Sequence, residues 1–398
     1  MSHPTLALAA ILLVAVASQM LAARFRLPAI IPLLVAGVLM GPYVFDAIDP
    51  DGLLGDLLDP FVSLAVGAIL FDGALTLRRE QLGGGVGPVV ARLVSLGVAL
   101  TWGLAAGGAA LLLGVDHRIA ILLGAVLTLS GPTVVVPLLD YVRPTARADA
   151  ALRWEGILVD PIGAILAVLV YHAVVSGDGA FDPGGFAATI GIGVGVGAAG
   201  AAMLAVLLSR RRVESHLEAT ATLAVVLFSV AAASELREDA GLVTAIVMGV
   251  TLAARRREIV ERAPEFSGTL VSLLLGVLFV VLSARVDPEA VVDLGLGGLA
   301  FIALLVLVVR PLSAVACTWR TELTPPERGL IAWMMPRGIV AAATASAFEL
   351  GLREAQIPDA EVLVPATFLV ITATVVIYGL TARPLALRLG VAERDAPS

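Results

Sequence analysis

The residues able to do chemistry stand where charge is least expected, inside long apolar runs. The segment Trp154-Glu155-Gly156-Ile157-Leu158-Val159-Asp160-Pro161 holds two carboxylates. At about 100° per residue Glu155 and Asp160 point roughly 140° apart on a helix, so each meets its own neighbours and takes its own role. Gly156 lies one turn before Asp160 on the same face and leaves room there for an ion or a water. Arg310, inside another apolar run, needs an anion at that depth, and Glu155 is the available one. That pairing leaves Asp160 unpaired and free to titrate. Asp72, in Leu70-Phe71-Asp72-Gly73, is a candidate second carboxylate. Charges at such positions cost about 2.5–3.5 kcal/mol each on insertion scales, which makes them functional candidates by default.

Two of the apolar runs are interrupted near their middles. One reads Thr128-Leu129-Ser130-Gly131-Pro132-Thr133, the other Met334-Met335-Pro336-Arg337-Gly338. Proline removes an amide donor and glycine loosens the backbone. Non-helical backbone at bilayer depth persists only inside protein or beside a watery cavity. Ser130, Thr133 and freed carbonyls place oxygen atoms at the first of these breaks. Arg337 either bonds freed carbonyls or faces the watery side.

These elements need a membrane. The chain of 398 residues is 59% hydrophobic and 15% charged, with a mean hydropathy of +0.98; a soluble chain carries roughly a quarter charged residues. Apolar runs between charge clusters give thirteen spans, at 5–23, 28–42, 59–77, 88–113, 119–142, 151–175, 185–208, 218–234, 239–254, 267–284, 294–317, 328–349 and 362–382, each near the length a bilayer requires. The first reads as a span and not a removed signal, because no basic residue precedes it and Arg24 and Arg26 follow.

Arginine placement tests this count. Connections after odd-numbered spans hold 19 arginines and those after even-numbered spans hold 4. Basic residues gather in cytoplasmic loops, so the N-terminus is expected outside and the C-terminus in the cytoplasm. The interrupted spans, the fifth and twelfth, then run in opposite directions, the pattern of an inverted repeat with a site at its interface. Spans 1–6 and 8–13 form the two halves. The expected fold is an all-α polytopic membrane protein with two inverted six-helix repeats and crossed broken helices.

Other chemistries are excluded or weak. The lone Cys317 rules out a disulfide framework or thiolate metal site. A net charge of −7 repels nucleic acid. All 26 basic residues are arginine, so no lysine carries protons. The Gly191-Ile192-Gly193-Val194-Gly195 run has no preceding strand and fits close helix packing better than nucleotide binding. The tail after Arg383 is too short for a cytosolic nucleotide-binding domain. His172, Asp140, Glu235 and Glu349 read as packed or solvated. No enzyme, cofactor or nucleotide is expected; the partner expected at this point is membrane lipid.

Taken together, Ala36-Gly37-Val38-Leu39-Met40-Gly41-Pro42, Leu70-Phe71-Asp72-Gly73, Ser130-Gly131-Pro132-Thr133, Glu155 to Asp160, Arg310-Pro311-Leu312-Ser313 and Pro336-Arg337-Gly338 resemble the monovalent cation:proton antiporters, over essentially the whole chain. The resemblance implies a single transport domain, 1–398, with a dimerisation part from spans 1–3 and 8–10 and a core from about 88–175 and 294–382. It also implies a homodimer in the cell membrane, working by an elevator-like motion of the core. The family's essential aspartate falls on Asp160, its ion pair on Glu155 and Arg310, and its span-3 acid on Asp72. Sodium/proton members usually carry Thr-Asp-Pro at the first break and Asn-Asp or Asp-Asp in span 6. This chain has Ser130-Gly131-Pro132 and Val159-Asp160, nearer the branch that includes potassium/proton antiporters.

The expected mechanism is competition between a proton and a sodium or potassium ion for Asp160, since burial disfavours a carboxylate's charged form and a nearby cation favours it. With Val159 in place of a second acid, electroneutral exchange is expected. A sodium-coupled organic-solute symporter of similar fold is the alternative. An ion channel and an intramembrane protease using Asp72 and Asp160 are remoter; the protease's Gly-x-Gly-Asp motif is absent.

Overall fold

The computed structural model describes residues 4–25, 29–75, 77, 79–176, 183–209, 217–237, 240–255 and 264–392. Arg26, Arg78, Arg210 to Arg212, Arg256, Arg257, Arg262 and Arg394 of the arginine pattern lie outside them. The described elements are helical: α1 (Pro4–Phe25), α2 (Ile30–Met40), α3 (Leu58–Leu75), α4 (Val86–Leu112), α5 (His117–Val126), α6 (Pro132–Val142), α7 (Ala146–Ser176), α8 (Pro183–Ser209), α9 (Glu218–Leu236), α10 (Ala240–Arg255), α11 (Pro264–Ala284), α12 (Gly295–Thr318), α13 (Pro325–Trp333), α14 (Ile339–Glu354) and α15 (Leu363–Leu389). Among the described residues, seven helices are long and apolar enough to cross a bilayer. Side chains such as Leu13, Met20, Phe228 and Leu296 stay exposed, which only hydrocarbon makes favourable in such numbers.

Helix packing separates two groups. In the first, α2 lies on α1 and α11, α3 on α9, α10 and α11, and α8 on α9 and α10. In the second, α4 packs on α5 and α12, α5 and α6 on α7, α12 on α13, and α14 on α7 and α15. Within that second group one order occurs twice. A helix with a π turn comes first, then an interrupted helix, then a long helix. The π turns are Leu93–Gly97 in α4 and Leu305–Val309 in α12. Pro311 follows the second and supplies its cause, because it has no amide to continue the ladder. Ser313 Oγ donates to the Gly97 carbonyl at 3.3 Å and Cys317 Sγ to the Arg92 carbonyl at 3.3 Å, joining α12 to the wide turn of α4.

The interruptions have defined ends. Helix α5 begins at an N-cap, Asp116, whose carboxylate accepts from the Arg118 amide; the bonded Arg118 guanidinium holds that carboxyl below its ordinary range. Helix α13 begins in a capping box between Thr324 and Glu327. At the same end of the molecule, Thr145 Oγ1 donates to Glu327 Oε1 at 3.1 Å and the Thr145 amide to the Val391 carbonyl at 2.7 Å. The turn between α6 and α7 is thus tied to the start of α13 and the end of α15.

One side of the glycine-rich stretch of α8 is a packing surface, since Gly193 and Gly197 lie against α10 whereas a Cβ on Gly191 or Gly195 would meet nothing. A Cβ on Gly197 would lie 2.8 Å from Val247 Cβ and 3.0 Å from the Thr244 carbonyl of α10, whereas one on Gly195 meets nothing within 4 Å. Gly197→Val should therefore destabilise the protein by about 1–3 kcal/mol through overpacking, and Gly195→Val should leave it unchanged. Thermal unfolding of the detergent-purified variants checks the difference.

Candidate functional site

The two interruptions meet in the second group. Between α5 and α6 the chain leaves the helix over Leu127–Gly131; between α13 and α14 it does so over Met334–Gly338. Gly131 adopts φ +61°, which costs a glycine little. It lies so close to Gly338 that a Cβ on either would overlap the other's Cα. No side chain fits at the crossing, so an acid at position 131 is sterically excluded here.

Asp160, on α7, is fully buried. Its Oδ1 accepts from the Gly131 amide at 2.8 Å, so the carboxylate bonds the freed N-terminal end of α6. Among the described residues, Oδ2 has no hydrogen-bond partner. A buried carboxylate oxygen left in that state is costly and is the place for a proton or a cation. Ser130 is buried with Oγ 3.4 Å from the Gly156 carbonyl. Ser130, Glu155, Gly156, Met335 and Pro336 line a cavity of about 10 Å³, near the lower limit for one water.

Glu155 faces elsewhere, on Arg310. The guanidinium spans both carboxylate oxygens, at 2.5 and 2.9 Å, with side-chain exposures of 2% for Arg310 and 5% for Glu155. Arg310 Nε also donates to the Ile331 carbonyl at 2.8 Å, in the last turn of α13, and NH1 reaches Met335 Sδ at 3.3 Å. Arg337 is buried in the second interruption and turns towards the first. Its NH1 donates to the Thr128 carbonyl at 3.1 Å and its amide to Thr374 Oγ1 at 3.2 Å. Each interrupted helix thus ends its first half on carbonyls bonded by an arginine, the favourable charge for a helix C-terminus.

Of the other expected site residues, Asp72 is half-buried on α3, in the first group, whose α3 packs against α6. The side chains of Pro132 and Thr133 lie outside the described ones. His172 is exposed and makes an edge contact with Tyr171; Glu349 pairs with Arg353 and Asp140 with Arg153. Thr374, Ile331 and Met335 complete the site without having been singled out. The signal for Thr374 was present: Thr367, Thr374 and Thr381 recur every seven residues, on one helix face, and Thr381 accepts from Trp333 Nε1 at 2.9 Å.

A membrane-embedded helical bundle with two interrupted helices meeting at a buried carboxylate has the architecture of a secondary transporter, and the comparisons with known proteins place it among the cation:proton antiporters, which are transporters and not enzymes. The family described as sodium/hydrogen exchanger, transmembrane, matches residues 8–388, and the chain belongs to that family. It is 25% identical over 404 residues to the K(+)/H(+) antiporter NhaP of Alkalimonas amylolytica, covering 98% of this chain and 68% of that protein. It is 28% identical over 321 residues to the glutathione-regulated potassium-efflux system protein KefC of Enterobacter sp. (strain 638), covering 73% of this chain and 48% of that protein. The fold is similar to that of the sodium proton antiporter MjNhaP1 from Methanocaldococcus jannaschii, with a TM-score of 0.82 at 20% identity over 97% of this chain and 99% of that one.

Removing one partner of a buried ion pair strands the other charge, at a cost of about 3–5 kcal/mol. Arg310→Gln should therefore lower the unfolding temperature sharply, and adding Glu155→Gln should recover part of the loss. Circular-dichroism melts of the single and double variants read this directly.

Proposed function

We propose that the chain exchanges one sodium or potassium ion for one proton across the cell membrane, with both ions competing for Asp160. The observation that carries this reading is the Asp160 carboxylate itself, buried at the crossing with one oxygen on the Gly131 amide and the other without a hydrogen-bond partner among the described residues. A lone charge there is expensive, so the carboxylate is neutralised either by protonation or by a bound cation. Oxygen ligands suit a hard monovalent ion, and in this proposal Ser130, Thr133 and freed carbonyls supply them beside Asp160. Asp72 supplies a second acid on the route to it. Glu155 and Arg310 brace the site, and Gly131, Pro132, Pro336, Arg337 and Gly338 form the paired breaks.

The architecture that would carry out this exchange is thirteen spans in two inverted six-helix repeats. Its support is the repeated order of π-turn helix, interrupted helix and long helix in α4–α7 and α12–α15. The second packed group is the moving core and the first the dimerisation part of a homodimer. The N-terminus lies outside and the C-terminus in the cytoplasm, which puts the acidic connection with Asp46, Asp49 and Asp51 outside and the Thr145–Glu327 contact inside. The names of the relatives above favour potassium or sodium as the cation. Symport of an organic solute draws no such support.

Purified protein in liposomes with an imposed pH gradient and an internal pH dye tests the reading. Adding sodium, potassium or lithium in turn should move protons in wild type, and Asp160→Asn should abolish that flux while leaving the melting temperature near wild type. Undiminished flux in Asp160→Asn would refute the site. Exchange of one charge for one charge should also carry no current, which solid-supported-membrane recording checks.

A further inference from the structure

A second arrangement of charge lies away from the crossing. Where α2 ends and α15 begins, a cleft of about 460 Å³ separates the two packed groups. On one wall, from the first group, Arg285 Nε bonds Asp51 Oδ2 at 3.1 Å. On the other wall, from α14, Arg353 NH2 bonds Glu349 Oε1 at 2.6 Å. Each pair is internal to its own wall, and among the described residues no ion pair joins Arg285 to Glu349 or Asp51 to Arg353.

The two walls are matched in sign at both depths. The outer members, Asp51 and Arg353, have side-chain exposures of 61% and 57%; the inner members, Arg285 and Glu349, have 25% and 27%. Ranked by exposure, the more exposed member is an acid on one wall and a base on the other, and the less exposed member a base on the first wall and an acid on the second. Bringing the walls together sets opposite charges against each other and lets all four change partner without stranding any. Exposed pairs of this kind are individually weak, so trading one set for another is nearly free and readily reversed. What the sign pattern contributes is register, since a slipped closure would set like charges together.

We propose that Asp51, Arg285, Glu349 and Arg353 form a partner-exchanging latch: when the cleft closes, Arg285 pairs with Glu349 and Asp51 with Arg353, sealing that end of the transporter. The latch rests on the antiport reading for the motion that closes the cleft, but it assigns these residues a task separate from ion binding. None of them contacts Asp160 or the interruptions; Glu349 lies on α14 more than two turns beyond Gly338.

The test introduces cysteines on facing walls, Tyr43→Cys and Ser346→Cys, both of which line the cleft, in the full chain carrying Cys317→Ser. In liposomes with copper–phenanthroline as oxidant, the pair should form a disulfide and exchange should stop, returning on reduction. Adding Arg353→Glu should slow cross-linking severalfold, because closure then opposes it to Asp51. Adding Asp51→Arg to that variant should restore the rate. No disulfide, a rate indifferent to Arg353→Glu, or no rescue by the second reversal would each overturn the latch. Cross-linking that follows the charges in a protein showing no cation-dependent proton flux would support the latch and count against antiport at Asp160; flux with inert charges would do the opposite.

Discussion

In hydrocarbon no water replaces a lost backbone hydrogen bond, so a helix interrupted at mid-membrane survives only where protein groups take over its freed ends. The rest of this structure is arranged around that requirement. The amide end of α6 is met by an acid, Asp160, and the carbonyl ends of α5 and α13 are met by bases, Arg337 and Arg310. Each choice follows the sign of the helix dipole. The interruptions then approach until Gly131 and Gly338 touch through their main chains, with no space left for a side chain between them.

Within that frame two carboxylates on one helix have been given opposite circumstances. Glu155 is spent: both oxygens are bonded to a guanidinium whose remaining Nε–H holds Ile331. It serves as a brace between α7, α12 and α13. Asp160 is half-spent, holding α6 through Oδ1 while Oδ2 has no partner among the described residues. Because the group proposed to exchange ions also caps a helix, loading it and positioning the interruption are one event. Arg337 makes the complementary link, since it originates in one interruption and bonds the other.

A charge in an apolar run has few explanations, so Glu155, Asp160, Arg310 and Arg337 were legible from sequence, as were the proline and glycine breaks that flank them. The all-helical membrane fold was legible for a similar reason, because apolar runs of bilayer length have few other uses. Most of the groups that finish the site were not. Ile331 and Thr128 act through main-chain carbonyls, which every residue has. Thr374 is distinguished only by its spacing along α15. The positive φ of Gly131 answers to Gly338, and no local pattern encodes a contact between such distant segments. The π turn of α12 was implicit in Pro311; that of α4 has no comparable residue to announce it.

The bond from Arg337 to the Thr128 carbonyl spans 209 positions of the chain. When the ribosome has delivered α5, α6 and α7 to the bilayer, the carbonyls at the first interruption still lack their guanidinium, and Glu155 lacks Arg310. The first half must therefore wait, incompletely bonded, while α8 to α11 are inserted. Non-local closures of this kind are slow because the entropy of the intervening loop is lost before the contact forms. Biogenesis thus passes through a stage in which a nascent half-site with unfilled polar groups is exposed to lipid, and the insertion of α8 to α11 is the interval a membrane chaperone would have to cover.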